Sequence, residues 1–519
     1  MRRRPEDTVL HQVVRAHLET FLAEVRLRSG GDGLPRFVER ELREYLTCGV
    51  MARGFARFRC RSCARELLVA FSCKGRGFCP SCCGRRMCAL AAHLVDGAFE
   101  DLPVRQWVLT LPYRLRYALA YDHGLCRAVL AVFVRAVLGF ERRRGREQGV
   151  RGRAGAVTAI QRCGSALNTN IHFHTLVAEG VFEEQPDGSQ RFVRALRLPT
   201  DPEVGKLLTK VRRRIVRLVR RHGIDLAGEE DAGDPLLLDS PALAQISGAS
   251  VVGRVATGPR AGHRVLRLGA DPNAPVVTTA GPRHAHSAGF DLHANVAVRA
   301  GERTRLEHLC RYVLRPPLAQ DALEWTPDGK VLLRLRRPWR DGTRAICFEP
   351  AELLERLAAM VPRPRTNLLI YHGAFAPRGC RRVAAALAAK RAERLQAHAA
   401  AGGDGATVSG SSEVGGSGVA PSENERHGAD PSDQPRPPPQ GAPYVRPRHF
   451  AWADLLRRTF EIDVLACPDC GGRLRLLATI EDPELIAKIL RHLELPEDAP
   501  EPAPARALDW LPGFVAGTE

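Results

Sequence analysis

The sequence predicts an α+β protein with a cysteine-rich module near its N-terminus. Three observations predict this class. Apolar residues recur at helical spacing in the first 46 residues, alternating apolar and polar residues indicate short strands further along, and eight of the fifteen cysteines lie between Cys48 and Cys88. At about 150 residues per domain, a chain of 519 residues is long enough for three or four domains.

Helices are predicted where apolar residues fall on one face of a 3.6-residue repeat. In the first 46 residues this pattern is formed by Val14, Leu18, Phe21, Leu22 and Val25. Helices are also predicted over 125–144, 304–314 and 380–398. Pro316 and Pro317 end the helix over 304–314, because proline cannot continue a helix.

Strands are predicted where short runs are rich in β-branched or aromatic residues, or alternate between apolar and polar side chains. These runs are 104–111, 156–161, 168–177, 250–256 and 289–299. A hairpin is predicted where Asp341-Gly342 separates 330–336 from 343–348, because this dipeptide suits a tight turn.

The chain is strongly basic. It contains 77 Lys and Arg against 58 Asp and Glu, a net charge of +19, and only six of the basic residues are lysines. Such a surplus favours a polyanionic partner, above all nucleic acid. Residues 211–221 predict an amphipathic helix, with Val211, Ile215 and Leu218 on one face and six arginines around the rest. The pattern leaves open whether these arginines contact nucleic acid or only solvent.

No membrane-spanning segment is predicted. No run of 18 apolar residues occurs, and the best candidate, 125–140, is interrupted by Arg127 and Arg135. The basic N-terminus is not followed by the apolar stretch of a signal peptide. The protein is therefore expected in the cytoplasm.

Four segments are predicted along the chain. Residues 1–95 combine the helical segment with a zinc-binding ribbon, and residues 100–398 form the core. Residues 399–447 are rich in Gly, Ser and Pro and are predicted to be a disordered linker. Residues 448–519 form a small C-terminal unit with a Pro-rich tail.

The cysteine spacing predicts a structural zinc site. Cys60 and Cys63 form one CxxC pair, Cys79 and Cys82 form another, and 15 residues separate the pairs. Two such pairs at this distance are typical of a tetrahedral thiolate site, and a chain without an export signal favours metal over disulfides. Cys48, Cys73 and Cys83 are nearby competitors as ligands. The basic residues that follow the second pair, Arg85 and Arg86, are candidate nucleic-acid contacts.

A further CxxC pair lies near the C-terminus. Cys467 and Cys470 belong to a CPDCGG motif that resembles half of a zinc ribbon. His449 or His492 could complete a site, but no second cysteine pair lies in this region. A single pair is a weak signal. The sequence therefore slightly favours no metal there.

The stretch 168–174 contains a His-Phe-His motif on a predicted strand. Because strand side chains alternate, Asn168, Asn170, His172 and His174 project from one face. Ile171 and Phe173 project from the other face into the core. Two imidazoles two residues apart on a strand can bind one divalent ion. A pair of core or surface histidines that binds no metal would have the same sequence pattern.

The predicted helix 304–314 contains a candidate nucleophile. Tyr312 lies between Arg311 and Arg315, which are candidate nucleic-acid contacts, and His308 falls on the same helical face as Tyr312. A phenol can attack a phosphodiester when a metal polarises the phosphate. By itself, a tyrosine on an amphipathic helix is more often a packing residue.

Together these motifs resemble those of the rolling-circle insertion-sequence transposases of the IS91 type. These are enzymes of the HUH superfamily, named for the sequence His-hydrophobe-His. The resemblance extends from about residue 36 to 495 without the linker. The segments that carry it are 54–63, 70–82, 108–113, 167–176, 311–317 and 465–472.

The resemblance implies an N-terminal zinc-binding domain and an HUH nuclease core, in which an antiparallel sheet backed by helices presents the histidines beside a tyrosine helix. His172 and His174 would bind Mg²⁺ or Mn²⁺, and Tyr312 would be the nucleophile. Pro316 stands where some relatives have a second tyrosine, so a single-tyrosine scheme fits better. The third metal ligand is open among Gln161, His308 and His293.

The implied activity is metal-dependent cleavage and rejoining of DNA through a 5′-phosphotyrosine. The implied partner is DNA, as single-stranded or hairpin ends of a mobile element, which would associate the protein with the nucleoid. Three alternatives stay open: a non-catalytic zinc-ribbon regulator, an HUH replication initiator or relaxase, and a decayed transposase copy. No phosphate-binding loop of an ATPase is present. Tyr371 is the next candidate nucleophile after Tyr312.

Overall fold

The computed structural model describes residues 4–226, 234–271, 281–377, 457 and 463–507. The predicted helix over 380–398 and the predicted linker over 399–447 lie outside the described residues. Within them, the prediction of an α+β protein is confirmed, because helices combine with sheets in which every described strand pair is antiparallel.

The helices are numbered in chain order over the described residues. They are α1 (Val9–Arg28), α2 (Arg36–Tyr45), α3 (Pro80–His93), α4 (Tyr113–Tyr121), α5 (His123–Glu147), α6 (Asp201–Arg221), α7 (Pro235–Asp239), α8 (Pro241–Val251), α9 (Arg303–Leu314), α10 (Pro350–Met360) and α11 (Pro483–His492). A π-helical turn, Leu94–Ala98, continues α3.

The strands follow the same convention. They are β1 (Phe55–Cys60), β2 (Glu66–Ala70), β3 (Val104–Thr110), β4 (Gly155–Cys163), β5 (Thr169–Ala178), β6 (Gly180–Glu184), β7 (Gln190–Arg194), β8 (Leu266–Leu268), β9 (His284–Ser287), β10 (Phe290–His293), β11 (Ala297–Val298), β12 (Leu323–Trp325), β13 (Val331–Arg334), β14 (Ala345–Phe348), β15 (Leu369–Gly373) and β16 (Leu474–Ile480).

The main sheet is built around β5. Its strand order is β15-β4-β5-β3-β10-β9, and the short strand β11 also pairs with β3. The register places His172 of β5 opposite Gln161 of β4 and Thr110 of β3. Because antiparallel partners in register share a face of the sheet, these side chains project to the same side.

One face of this sheet is covered by helices. Ile171 and Phe173 of β5 are fully buried in a cluster with Trp107 and Leu109 of β3. The same cluster contains apolar residues of α4, α5 and α6. α5 is long and apolar enough, by length and composition alone, to cross a membrane. In the protein, more than half of its most apolar window is buried, as expected for a helix packed on a sheet.

The opposite face of the sheet carries α3 and α9. The Gln161 side chain on β4 donates a hydrogen bond of 2.7 Å to the carbonyl of Val313 near the end of α9. α3 packs against α9, and Arg303 at the start of α9 forms an ion pair with Asp96 in the π-helical turn. These contacts fix the position of α9 above the sheet.

A second core combines the N-terminal helices with elements from later in the chain. Apolar residues of α1 and α2 are buried with those of α8, α10 and the four-stranded sheet β12-β13-β14-β8. The predicted hairpin is confirmed, since β13 and β14 pair through Leu333 and Ile346.

A three-stranded sheet, β16-β1-β2, joins the two ends of the chain. The C-terminal strand β16 pairs with β1, from Ile480 opposite Phe55 to Leu474 opposite Cys60. The described C-terminal residues 463–507 therefore complete a sheet that begins in the N-terminal zinc-binding segment.

Two strand predictions need correction. Residues 250–256 form no strand, because Val251 ends α8 and the apolar side chains that follow, such as Val255, are buried in the turn after it. The predicted strand 289–299 is divided into β10 and β11, which both pair with β3. Apolar runs of this length do not by themselves distinguish a strand from a helix end.

Replacement of Phe173 by alanine should test the helical layer. Phe173 is fully buried and stacks on Phe133 of α5 with ring centroids 6.4 Å apart. The cavity should lower the free energy of unfolding by about 3–5 kcal/mol, measured by urea denaturation with circular dichroism. Leu196→Ala, at a residue that is 86% exposed, should change it by less than about 0.5 kcal/mol. Equal effects of the two variants would contradict this packing.

Candidate active site and cysteine clusters

The two histidines of β5 lie side by side in an open cleft. Their ring centroids are 4.9 Å apart, and the cleft has a volume of about 570 Å³. Alternation along β5 produces this arrangement, because Ile171 and Phe173 occupy the opposite face. The cleft is lined by Gln106, Val108, Thr110, Asn170, His172, His174, His293, Val296, Val298, Arg305, Leu309, Tyr312 and Arg315.

A backbone carbonyl orients His172. Nδ1 of His172 lies 2.8 Å from the carbonyl oxygen of Asn170. A carbonyl can only accept, so Nδ1 carries the proton and donates. The lone pair of Nε2 is then available for a metal ion, which is the usual way in which a neighbouring acceptor selects the tautomer of a metal ligand.

A side-chain amide orients His174. Nδ1 of His174 lies 2.6 Å from the amide nitrogen, Nε2, of Gln106 on β3, and both side chains are buried. A half-turn of the Gln106 amide exchanges its oxygen and nitrogen, so that an acceptor faces Nδ1 of His174 in place of a donor. When the oxygen accepts from Nδ1, the Nε2 lone pair of His174 is free to bind a metal.

Both imidazoles are held in their neutral form. Burial lowers the pKa of His172 to about 4, with smaller contributions from the charges of Arg116 and Arg315. Burial, followed by the charges of His172 and Arg315, lowers the pKa of His174 to about 3. At neutral pH neither ring carries the extra proton that a metal ion would have to displace.

The candidate nucleophile reaches the same cleft from α9. The ring of Tyr312 lies 5.8 Å from that of His174, centroid to centroid, and is 47% exposed. The guanidinium carbon of Arg315 lies 4.8 Å from the centre of the Tyr312 ring, within the range of a cation–π contact. Arg305, Leu309 and Tyr312 face the cleft together because they recur every three to four residues on α9.

The three candidates for a third metal ligand have different positions. His293 on β10 lines the cleft, opposite Val108 of β3. Gln161 uses its amide nitrogen to hold α9, and His308 is exposed and is not among the residues that line the cleft. Among the described residues, no third His, Cys, Asp or Glu joins His172 and His174 in a group whose ligand atoms all lie within 4.8 Å of one another.

The alternative nucleophile lies elsewhere. Tyr371 is on the edge strand β15, and its ring centroid is 6.3 Å from that of His93 on α3. It is not among the residues that line the cleft.

Sequence reasoning did not identify a polar cluster beside the cleft. Nε2 of His284 on β9 lies 2.7 Å from Oδ2 of Asp291 on β10, and Nδ1 of His286 lies 3.7 Å from the same oxygen. The rings of His284 and His293 are 6.0 Å apart. In the sequence, this cluster is indicated only by the alternation of histidine with other residues in His284–Ser287.

The arginines singled out from the sequence have different surroundings. Arg315 lines the cleft, whereas Arg311 forms an ion pair of 3.1 Å with Glu307 on its own helix. Arg86 donates to the carbonyls of Lys74 and Gly75 in the cysteine-rich loop. Arg85 is exposed on α3.

The predicted basic helix is confirmed as the C-terminal part of α6. Its apolar residues Val211 and Ile215 are fully buried against the sheet. Five of its six arginines, all except Arg214, line an open groove of about 620 Å³ on the outer side of the helix. α6 packs on the face of the sheet opposite to the histidines, so this groove and the cleft lie on different sides of the core.

The structure divides the predicted zinc ligands between two clusters. Cys79 and Cys82 lie with Cys48 and Cys73, whereas Cys60 and Cys63 lie with Cys467 and Cys470. The expected single site formed by the first two CxxC pairs is therefore not what the structure shows. The reason is topological, because Cys60 and Cys63 flank the turn between β1 and β2, while Cys79 starts α3.

The first cluster, Cys48, Cys73, Cys79 and Cys82, has the geometry of a tetrathiolate site. Sγ of Cys48 lies 3.6 Å from that of Cys79 and 3.8 Å from that of Cys82, and Cys73 lies 3.5 Å from Cys82. A tetrahedron with zinc–sulfur bonds of 2.3 Å has edges of about 3.8 Å. The cluster therefore fits a structural zinc ion.

Two family models match the chain in separate segments. One, described as "Putative transposase", matches residues 155–383. The other, described as "Transposase zinc-binding domain" of the IS91 type, matches residues 13–111. Comparison with curated proteins and with solved structures finds no match.

These matches coincide with the two sites in the structure. The first contains His172, His174 and Tyr312, and the second contains all four residues of the cluster formed by Cys48, Cys73, Cys79 and Cys82. The zinc-binding match and the cysteine geometry together support structural zinc. The family also identifies DNA as the partner on which the protein acts. The chain thus belongs to the IS91-type transposases.

Proposed function

We propose that this transposase is an HUH nuclease that cuts and rejoins single DNA strands through Tyr312, in a rolling-circle type of transposition. The observation that carries the proposal is the shared cleft. Two neutral histidines from β5 and an exposed tyrosine from α9 lie in one cavity, although about 140 residues of chain separate them.

His172 and His174 would hold the divalent ion, Mg²⁺ or Mn²⁺, that the HUH family implies. The donor set fits, because both rings are neutral and both have a partner at Nδ1 that can leave Nε2 free. When bound, such an ion orients the scissile phosphate and neutralises charge that develops on it.

Tyr312 would attack the phosphorus through its phenolic oxygen. The new bond joins tyrosine to the 5′ phosphate, and the bond from phosphorus to the 3′ oxygen breaks. The phenolic proton passes to solvent, which reaches this half-exposed side chain, and the leaving oxygen takes up a proton as a 3′ hydroxyl. Because the covalent link retains the energy of the phosphodiester, a second 3′ hydroxyl can reverse the step and join strands.

Two arginines would bind the DNA backbone in the cleft. Arg305 and Arg315 both line it, and guanidinium groups bind phosphate through charge and directed hydrogen bonds. The substrate would be single-stranded DNA or hairpin ends, since a phosphate within a regular duplex is less free to enter a cleft of this size. The arginine groove of α6 would contact DNA on the other side of the core, with the strong dependence on salt that such contacts have.

Replacement of Tyr312 by phenylalanine should abolish covalent attachment to DNA. Wild-type protein would be incubated with Mn²⁺ and labelled single-stranded oligonucleotides from the ends of its element, and the adduct would be resolved on a denaturing gel. Tyr312→Phe removes only the attacking oxygen, so the adduct should disappear while binding to the oligonucleotide is retained. His172→Ala should also abolish the adduct.

Tyr371→Phe is the matched control and should form the adduct normally, because Tyr371 lies outside the cleft. An adduct that persists in Tyr312→Phe would assign the nucleophile to another residue. A wild-type protein that binds the correct ends with Mn²⁺ and forms no adduct would instead favour a non-catalytic regulator.

Gln106 should act as a positioning residue for His174. Gln106→Leu removes the hydrogen bond to Nδ1 and should weaken Mn²⁺ binding roughly 10- to 100-fold, measured by calorimetric titration. Gln106→Glu supplies a carboxylate oxygen that can accept from Nδ1 and should restore most of the affinity. If both variants bind Mn²⁺ as the wild type does, His174 is not held through Gln106.

A further inference from the structure

Two pairs of cysteines from opposite ends of the chain meet in the structure. Sγ of Cys60 lies 3.5 Å from that of Cys470, and Sγ of Cys63 lies 3.6 Å from that of Cys467. Residues 404 apart in sequence are thus in contact. The segment that contributes Cys467 and Cys470 lies outside both of the matched family segments.

We propose that Cys60, Cys63, Cys467 and Cys470 bind a second structural zinc ion, which fastens the C-terminal segment 463–507 to the N-terminal zinc-binding domain. All four ligand atoms lie within 4.8 Å of one another. The two sulfur–sulfur distances, 3.5 Å and 3.6 Å, are close to the edge of about 3.8 Å expected for a zinc tetrathiolate.

The backbone forms a tight turn at each of the two CxxC pairs. The amide of Ser62 donates to Sγ of Cys60 at 3.4 Å, as expected for a turn that presents a thiolate to a metal. Cys467 pairs with Gly472 through a hydrogen bond of 2.7 Å from its amide to the glycine carbonyl, which closes the second turn. Each pair therefore forms a compact loop with both thiols directed to the same point.

Gly472 allows the two turns to approach each other. A Cβ atom at this position would lie 2.4 Å from Oγ of Ser62 and 3.1 Å from Sγ of Cys60. Any larger residue would push the C-terminal turn away from Cys60. An ion pair between Arg65 and Asp469 links the same two turns.

The second zinc ion would stabilise a sheet that is otherwise small. β1 and β2 form only a two-stranded hairpin, and an isolated hairpin is marginally stable in water. The C-terminal segment adds β16 as a third strand and buries Ile486 and Leu490 of α11 against Met51 and Phe55. A metal ion that links residues so far apart in sequence closes a long loop and therefore lowers the conformational entropy of the unfolded chain.

The two zinc ions should differ in how readily they exchange. In the first cluster Cys48, Cys79 and Cys82 are buried, whereas in the second Cys63 and Cys470 are exposed. A chelator can approach an exposed thiolate without unfolding of the surrounding chain. The ion that joins the chain ends should therefore leave first.

The number of tetrathiolate sites is measurable on the wild-type chain. Elemental analysis of the full-length protein should give two zinc ions per chain. Cadmium NMR of the cadmium-substituted protein should give two resonances, both in the range of four-thiolate sites. During titration with a chelator, one ion should be released before the other. A single ion and a single resonance would overturn the proposal.

Cysteine variants assign the two sites. Cys470→His keeps a ligand at an exposed position and should move one cadmium resonance towards a site with three thiolates and one imidazole. Cys467→Ser with Cys470→Ser should leave one zinc ion and should increase hydrogen exchange in β1 and β16. Cys79→Ser should remove the other ion, whereas Cys83→Ala, adjacent to the ligand Cys82, should remove neither.

Two outcomes would contradict the assignment. If Cys470→His leaves both resonances unchanged, Cys470 is not a ligand. If the double serine variant keeps the wild-type zinc content and the wild-type protection of β16, the C-terminal pair binds no metal. Neither measurement depends on nuclease activity, so failure of this proposal is distinguishable from failure of the proposed function.

Discussion

Strict alternation along β5 is the constraint on which the core depends. Ile171 and Phe173 are fully buried in the apolar cluster that β5 shares with α4 and α5, so the intervening residues must project to the other face. His172 and His174 are therefore fixed by the same packing that holds the helical layer on the sheet. A shift of register by one residue would exchange the histidines with the core residues, which makes such a slip very costly.

The zinc-binding domain also supports the candidate active site. The cluster containing Cys48 and Cys79 fixes the start of α3, and α3 packs against α9, which carries Tyr312. Gln161 holds the other end of α9 to the sheet through the carbonyl of Val313. The helix α9 is thus held on one side by the cysteine cluster, through α3, and on the other side by the sheet. These contacts place the half-exposed Tyr312 beside His174.

The charges around the cleft are arranged for an anionic ligand. Burial keeps the two histidines neutral, with the positive charges of Arg116 and Arg315 acting in the same direction. Arg305 and Arg315 supply positive charge in the cleft itself, and the whole chain has a net charge of +19. A metal ion held by these neutral ligands would keep its full charge for a phosphate, which agrees with the DNA partner that the family indicates.

The sequence by itself determined the α+β class, the long helices α1, α5 and α9, the central strands β3, β4 and β5, the histidine pair on β5 and the presence of metal-type cysteines. Each of these rests on a local pattern: a period of two or 3.6 residues, or a CxxC spacing. Only the tertiary structure decided which cysteines combine and that Tyr312 and Gln106 meet at His174. Cys60 and Cys63 have Cys79 and Cys82 as their nearest CxxC pair in sequence, yet β16 brings Cys467 and Cys470 to them. Local spacing contains no information on such pairing, because it depends on how distant strands align in a sheet.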